Sequence, residues 1–181
     1  MRHVRLLGLS FAAFMLLGVR PLPAQDLTLF VGGNMPGDLE RDGGQIRLDN
    51  GPVWGFRLGW GFVPLLGFEQ TVAFSPDYLF PEDSSASDSK GFICNSNLTL
   101  QLPTGRIVPY GTFGIGLIWQ YGSPNLPVGG EFAFNYGGGL KFPRVWGPFG
   151  LRFDARGYTV PEVLSTKLNM FELSGGLLIS F

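Results

Sequence analysis

Eight charged side chains fall in one phase of an alternating pattern, and this restricts the folds open to the chain more than any other feature. Over residues 53–63, Trp54, Phe56, Leu58, Trp60 and Phe62 alternate with Gly55, Arg57, Gly59 and Gly61. Over 131–142, Phe132, Phe134, Tyr136, Leu140 and Phe142 oppose Glu131, Ala133, Asn135, Gly137, Gly139 and Lys141. Over 148–158, Phe149, Leu151, Phe153 and Ala155 oppose Arg152, Asp154 and Arg156. Glu69 lies opposite Phe68, Val72 and Phe74, and Glu172 lies between Phe171 and Leu173. A period of two means strands with one apolar and one polar face. Slipping any strand by one residue would exchange its faces, so the charges fix the register.

The same pattern gives eight strands: residues 26–33, 53–63, 66–74, 91–102, 107–121, 131–142, 148–158 and 168–181. The links between them alternate in length. Residues 64–65, 103–106 and 143–147 are tight turns. Residues 34–50, 75–90, 122–130 and 160–167 are longer, and the first two are polar. Short turns at one end and longer loops at the other are a feature of transmembrane barrels, and an even strand count puts both termini on the short-turn side. No apolar run past residue 24 is long enough for a spanning helix of ~20 residues. A chain of this kind enters a membrane only as a closed barrel, because lipid cannot satisfy an open sheet edge.

The polar phase holds four positive and four negative charges: Arg57, Glu69, Glu131, Lys141, Arg152, Asp154, Arg156 and Glu172. A soluble eight-stranded barrel would turn its apolar face inward and these charges outward. The aromatic-rich face argues for the reverse. An Arg or Lys turned to lipid costs ~2–4 kcal/mol at the midplane, so the charges point into the lumen. Eight strands leave an interior that side chains can fill. The expectation is a salt-bridged plug in which Arg156 pairs across the sheet with Glu172. Aromatics gather toward the turn end (Trp60, Phe62, Phe68, Phe142, Trp146, Phe181) and toward the loop end (Trp54, Phe74, Phe92, Trp119, Tyr121, Phe132), as lipid-boundary girdles do.

Residues 1–24 have the form of a signal peptide: Arg2 and Arg5, then an apolar run from Leu6 to Val19, with cleavage expected after Ala24. Three of the 13 basic residues lie in this segment, leaving ten against 14 acidic ones. That balance argues against a nucleic-acid partner. The lone Cys94 has no disulfide partner, falls in the apolar phase and reads as inert. Loop acids such as Asp38, Glu40, Asp83 and Asp88 lack the spacing of an EF-hand and read as solvated charge.

The last strand ends Ser174-Gly-Gly176-Leu-Leu-Ile179-Ser-Phe181. This register of polar residue, Gly, hydrophobic and terminal aromatic resembles the C-terminal assembly signal of bacterial outer-membrane β-barrels. Pro109-Tyr110 followed by Gly114 and Gly116 is similar to the fifth strand of small OmpX- and OmpA-like barrels, as is the Arg152, Asp154, Arg156 alternation of the seventh. The resemblance covers residues 25–181 and implies an all-β fold: an eight-stranded antiparallel up-and-down transmembrane β-barrel. It also implies residence in the cell outer membrane of a Gram-negative-type envelope, among outer-membrane lipid and lipopolysaccharide. The barrel assembly machinery would read the C-terminal strand through Ser174, Gly176, Ile179 and Phe181.

The function expected is non-enzymatic, structural or interactive, with no cofactor and a monomeric barrel. One alternative is a small-solute channel. Another is a lipid A-modifying enzyme, because outer-membrane deacylases, palmitoyl transferases and proteases resemble this fold. Their chemistry uses a histidine base, and the only histidine here, His3, lies in the signal segment.

Overall fold

A computed structural model describes residues 26–37, 39–41, 44–46, 50–76, 90–121, 130–163 and 166–181. The expected signal segment, residues 1–24, lies outside them, as do the side chains of the loop acids. Among the described residues there are ten strands and no helix. Eight of them close a barrel: β1 (Asp26–Pro36), β4 (Gly51–Val63), β5 (Leu66–Ser75), β6 (Lys90–Gln101), β7 (Val108–Tyr121), β8 (Gly130–Trp146), β9 (Phe149–Val163) and β10 (Thr166–Ser180). Each is antiparallel to its neighbours in chain order, and β1 closes the ring by pairing with both β4 and β10. The remaining two, β2 (Leu39–Arg41) and β3 (Gly44–Ile46), form a small separate hairpin inside the first long polar stretch.

The alternation in sequence becomes alternation in space. On β4, Val53, Arg57 and Gly59 are buried, whereas Trp54 is exposed. On β9, Arg152, Asp154 and Arg156 are buried between half-buried or exposed Leu151, Phe153 and Ala155. The outer wall therefore presents a continuous apolar surface, with Val31, Phe113, Tyr136, Phe153 and Leu173 exposed on successive parts of it. Ring contacts tie the wall together at the loop end. Trp54, Phe74, Phe92 and Trp119 form a row across β4 to β7, with successive centroids 5.3, 5.1 and 5.6 Å apart. At the turn end Trp60 and Phe68 lie 5.7 Å apart. The Tyr121 side chain lies outside the described residues.

Two links differ from the sequence expectation. The turn expected at 143–147 is the end of a longer strand: β8 runs to Trp146 with a register shift between Phe142 and Trp146. Pro143 cannot donate to the ladder, and Arg144 takes a left-handed φ of 56°, so the chain bulges before turning at Gly147. The link expected at 160–167 is mostly strand, because β9 continues to Val163 and β10 starts at Thr166. The β9–β10 hairpin is therefore taller than its apolar alternation suggests.

Glycines on the inner face leave space that other side chains use. A Cβ on Gly139 would meet the Phe153 carbonyl and the Tyr110 hydroxyl, and one on Gly116 would meet the Asn95 side chain. Both positions are close approaches that only a hydrogen tolerates.

Candidate functional site: the charged lumen

Six of the eight expected lumen charges meet in one layer across the middle of the barrel. Arg57 enters from β4, Glu69 from β5, Arg152, Asp154 and Arg156 from β9, and Glu172 from β10. Arg57, Arg152, Arg156 and Glu172 are fully buried, Glu69 is 1% exposed and Asp154 is 5% exposed. Arg57 Nη1 lies 3.1 Å from Asp154 Oδ2, and its Nη2 lies 2.5 Å from Glu172 Oε1. Arg152 Nε lies 3.0 Å from Asp154 Oδ2, and Arg156 Nη2 lies 3.0 Å from Asp154 Oδ1. Glu69 receives both remaining cations: Arg156 Nη2 at 2.6 Å from Oε1 and Arg152 Nη2 at 2.6 Å from Oε2. The Arg152–Glu69 contact is close in distance without the alignment of a hydrogen bond, so it acts as charge on charge.

The layer is balanced, three guanidiniums against three carboxylates, and neutral groups support it. Tyr110 donates its hydroxyl to Asp154 and accepts from Arg152 Nη2 at 2.8 Å. Tyr158 donates to Glu172 Oε2 at 2.8 Å, and Ser174 Oγ donates to Glu172 Oε1 at 2.7 Å. The Arg57 guanidinium lies over the Phe30 ring, 3.6 Å from its centroid. Buried ions repay their desolvation only when geometry and added hydrogen bonds are both good. Arginine suits this work because its fixed fork bridges two acids at once.

The pairing differs from the register expectation. Glu172 and Arg156 are indeed Cα partners across β9 and β10. Their charges are not joined, however. Arg156 reaches across the lumen to Glu69, and Glu172 is taken by Arg57, Tyr158 and Ser174. Neighbours in register have parallel side chains, whereas a guanidinium on a long stem spans a narrow lumen and meets the opposite wall. Lys141 and Glu131 stand outside the central layer. Lys141 Nζ pairs with Asp26 Oδ2 at 2.7 Å toward the turn end, beside a polar cavity of about 20 Å³ lined in part by Thr99 and Gln101. Glu131 is half-buried at the loop end of β8, across from Ile118.

Above the ions, toward the loops, the lumen holds an apolar layer. Val53, Ile93, Ile118, Val160, Leu168 and Met170 are each buried there with Phe30 and Tyr158. These residues share the inward phase of their strands. Leu168 and Met170 precede Glu172 by even steps, and Val160 follows Arg156 in the same way. The even phase also carries Asp26 with Thr28 and Phe30 on β1. This apolar layer and the Asp26–Lys141 pair were not anticipated. Strand phase alone would have found them, had every inward position been followed instead of only the charged ones.

The four residues of the C-terminal pattern have distinct places. Ser174 is inward and belongs to the ion layer through Glu172 and Arg57. Gly176 lies opposite Phe30, where a Cβ would strike the Leu29 carbonyl. Ile179 pairs with Leu27 and Phe149, and Phe181 is exposed just past β10.

No family model matches the chain, and no curated protein matches it in sequence. Solved structures do. Neisserial surface protein A is 14% identical over 86% of this chain and 96% of its own, with a TM-score of 0.66. The attachment invasion locus protein of Yersinia pestis, solved with the heparin analogue sucrose octasulfate, is 17% identical over 86% and 99%, with a TM-score of 0.53. The outer-membrane enzyme PagL is 16% identical over 86% and 99%, with a TM-score of 0.52. These are small eight-stranded outer-membrane barrels, and the present chain shares their fold, a closed antiparallel barrel of eight strands.

Proposed function

We propose that the chain is an integral outer-membrane barrel that neither catalyses nor conducts, and whose work is done by its loop end at the cell surface. The observation that carries this reading is the filled lumen: a neutral layer of paired buried ions beneath an apolar layer on the loop side. Ions locked in reciprocal bridges are structural groups. None of the six is left as an accessible acid, base or nucleophile. The apolar outer wall supports the lipid setting, since an exposed apolar surface of this extent is found at membrane contacts. Outer-membrane lipid and lipopolysaccharide would surround that wall. The assembly machinery would engage β10, whose outward Leu173, Leu177 and Ile179 lead to the exposed Phe181.

The likeness to PagL makes lipid A chemistry the competing reading. The barrel refolded into vesicles containing lipid A is expected to leave the acyl chains of that lipid unchanged by mass spectrometry over hours, with and without divalent cations. Loss or transfer of one chain would overturn the non-enzymatic assignment. It would also direct attention to the loop acids and rim hydroxyls, because no histidine follows His3.

A further inference from the structure

We infer that the turn-end rim of the barrel binds the phosphate of an anionic phospholipid through Arg106 and Arg144. The inference rests on the membrane-barrel reading and deepens it by naming a head group. Charge is divided between the two ends. The links at the turn end, residues 64–65, 103–106 and 143–147, hold two arginines and no acid. The polar stretches 34–50 and 75–90 at the loop end hold eight acids against three bases. Arg106 and Arg144 are both exposed, and neither forms an ion pair among the described residues. Asp26, at the same end, is already taken by Lys141. Val108 on β7 pairs with Lys141 on β8. Arg106 lies two residues before that pair and Arg144 three after it, so both stand past the same end of two neighbouring strands.

The backbone at Arg144 is a second, independent mark. Its φ of 56° is the only left-handed value at a non-glycine residue among those described. Glycine or asparagine takes that conformation more readily. Such strain gathers at sites that hold a ligand, and the residue held here is a long cation on the rim. Its neighbours Val145 and Trp146 are exposed, and Arg106 is followed by the exposed Ile107. Apolar and indole groups lie at the boundary between acyl chains and head groups, and an arginine stem beside them carries its charge out to the phosphates. A guanidinium meets a phosphate with two parallel N–H donors. An unpaired cation beside an anionic lipid surface is drawn to it within about a Debye length. The acidic loop end repels the same head group, so the contact is confined to the leaflet that the turns meet.

The test uses the full barrel with Trp54→Phe, Trp60→Phe and Trp119→Phe, which leaves Trp146 as the single indole of the four in the sequence. In phosphatidylcholine vesicles, Trp146 is quenched by bromine-labelled phosphatidylglycerol or by bromine-labelled phosphatidylcholine. The two titrations give a relative binding constant at the rim. A preference of about fivefold for the anionic lipid is expected, the factor that one cation near a charged surface supplies. Arg106→Gln with Arg144→Gln is expected to bring the ratio to about one. Arg144→Gly, which relieves the left-handed backbone, is expected to lower the ratio while the unboiled protein keeps its folded migration on a gel. A folded barrel with no preference, or a preference that survives loss of both arginines, would overturn the site and leave the barrel standing. So would a preference abolished by inorganic phosphate and not by chloride at equal ionic strength, since the rim would then hold a free anion. A chain that stays unfolded in lipid would refute the membrane-barrel reading and the rim site with it.

Discussion

Asp154→Leu is expected to lower the unfolding free energy of the barrel by about 3–5 kcal/mol, measured by denaturant titration in micelles or thin vesicles. Asp154 touches all three central guanidiniums and accepts the Tyr110 hydroxyl. Its removal leaves three buried cations facing two acids. Leucine is at least as large as the acid it replaces, so the loss comes from charge and hydrogen bonding and not from a cavity. A double-mutant cycle then separates the observed wiring from the wiring that register alone suggests. Arg57→Leu and Glu172→Leu are expected to couple by ~0.5–3 kcal/mol, because each removes the other's partner. Arg156→Leu and Glu172→Leu are expected to couple less, although their Cα atoms are the ones that face each other. The reverse order of coupling would show that the lumen is wired along the strands and not across them.

Phe153→Arg is expected to cost ~2–4 kcal/mol of stability in a bilayer, whereas Leu102→Arg at the turn rim is expected to cost ~0–1 kcal/mol. Phe153 is 52% exposed on the wall beside the ion layer, and Leu102 is 53% exposed just past the end of β6. Equal exposure with unequal cost is the signature of a depth-dependent environment. In water the two changes would be nearly equal and small. Equal effects of the two changes in lipid would mean that this wall does not face hydrocarbon.

The strands were legible because charge and apolar phase agree on the five that carry the phased charges, β4, β5, β8, β9 and β10. Arg57 cannot exchange faces with Phe56 without turning a cation to lipid, so the sequence carries its own register. The ends of β8 and β9 were less legible. Pro143 and Arg144 look like a turn in sequence, and they form a bulge that lets the strand continue. Which charges meet was not legible at all. Register specifies backbone neighbours, whereas the Arg156–Glu69 and Arg57–Glu172 bridges depend on stem length and on the width of the closed lumen. The apolar layer of Ile93, Ile118, Leu168 and Met170 was concealed for another reason: an apolar residue in the inward phase looks like noise when the rule sought is polar-in. Physically it is the complement of the ions. A lumen filled with charge to its loop end would need a partner for each one, and an apolar layer ends that requirement.

Planar-bilayer recording of the refolded wild-type barrel decides whether the lumen is closed. A side-chain plug of paired ions under an apolar layer predicts a flat baseline at moderate voltage and high salt, with no steady open level. Reproducible, long-lived single-channel steps that scale with salt concentration would contradict a closed lumen, because ions would then be crossing the layer formed by Arg57, Glu69, Arg152, Asp154, Arg156 and Glu172.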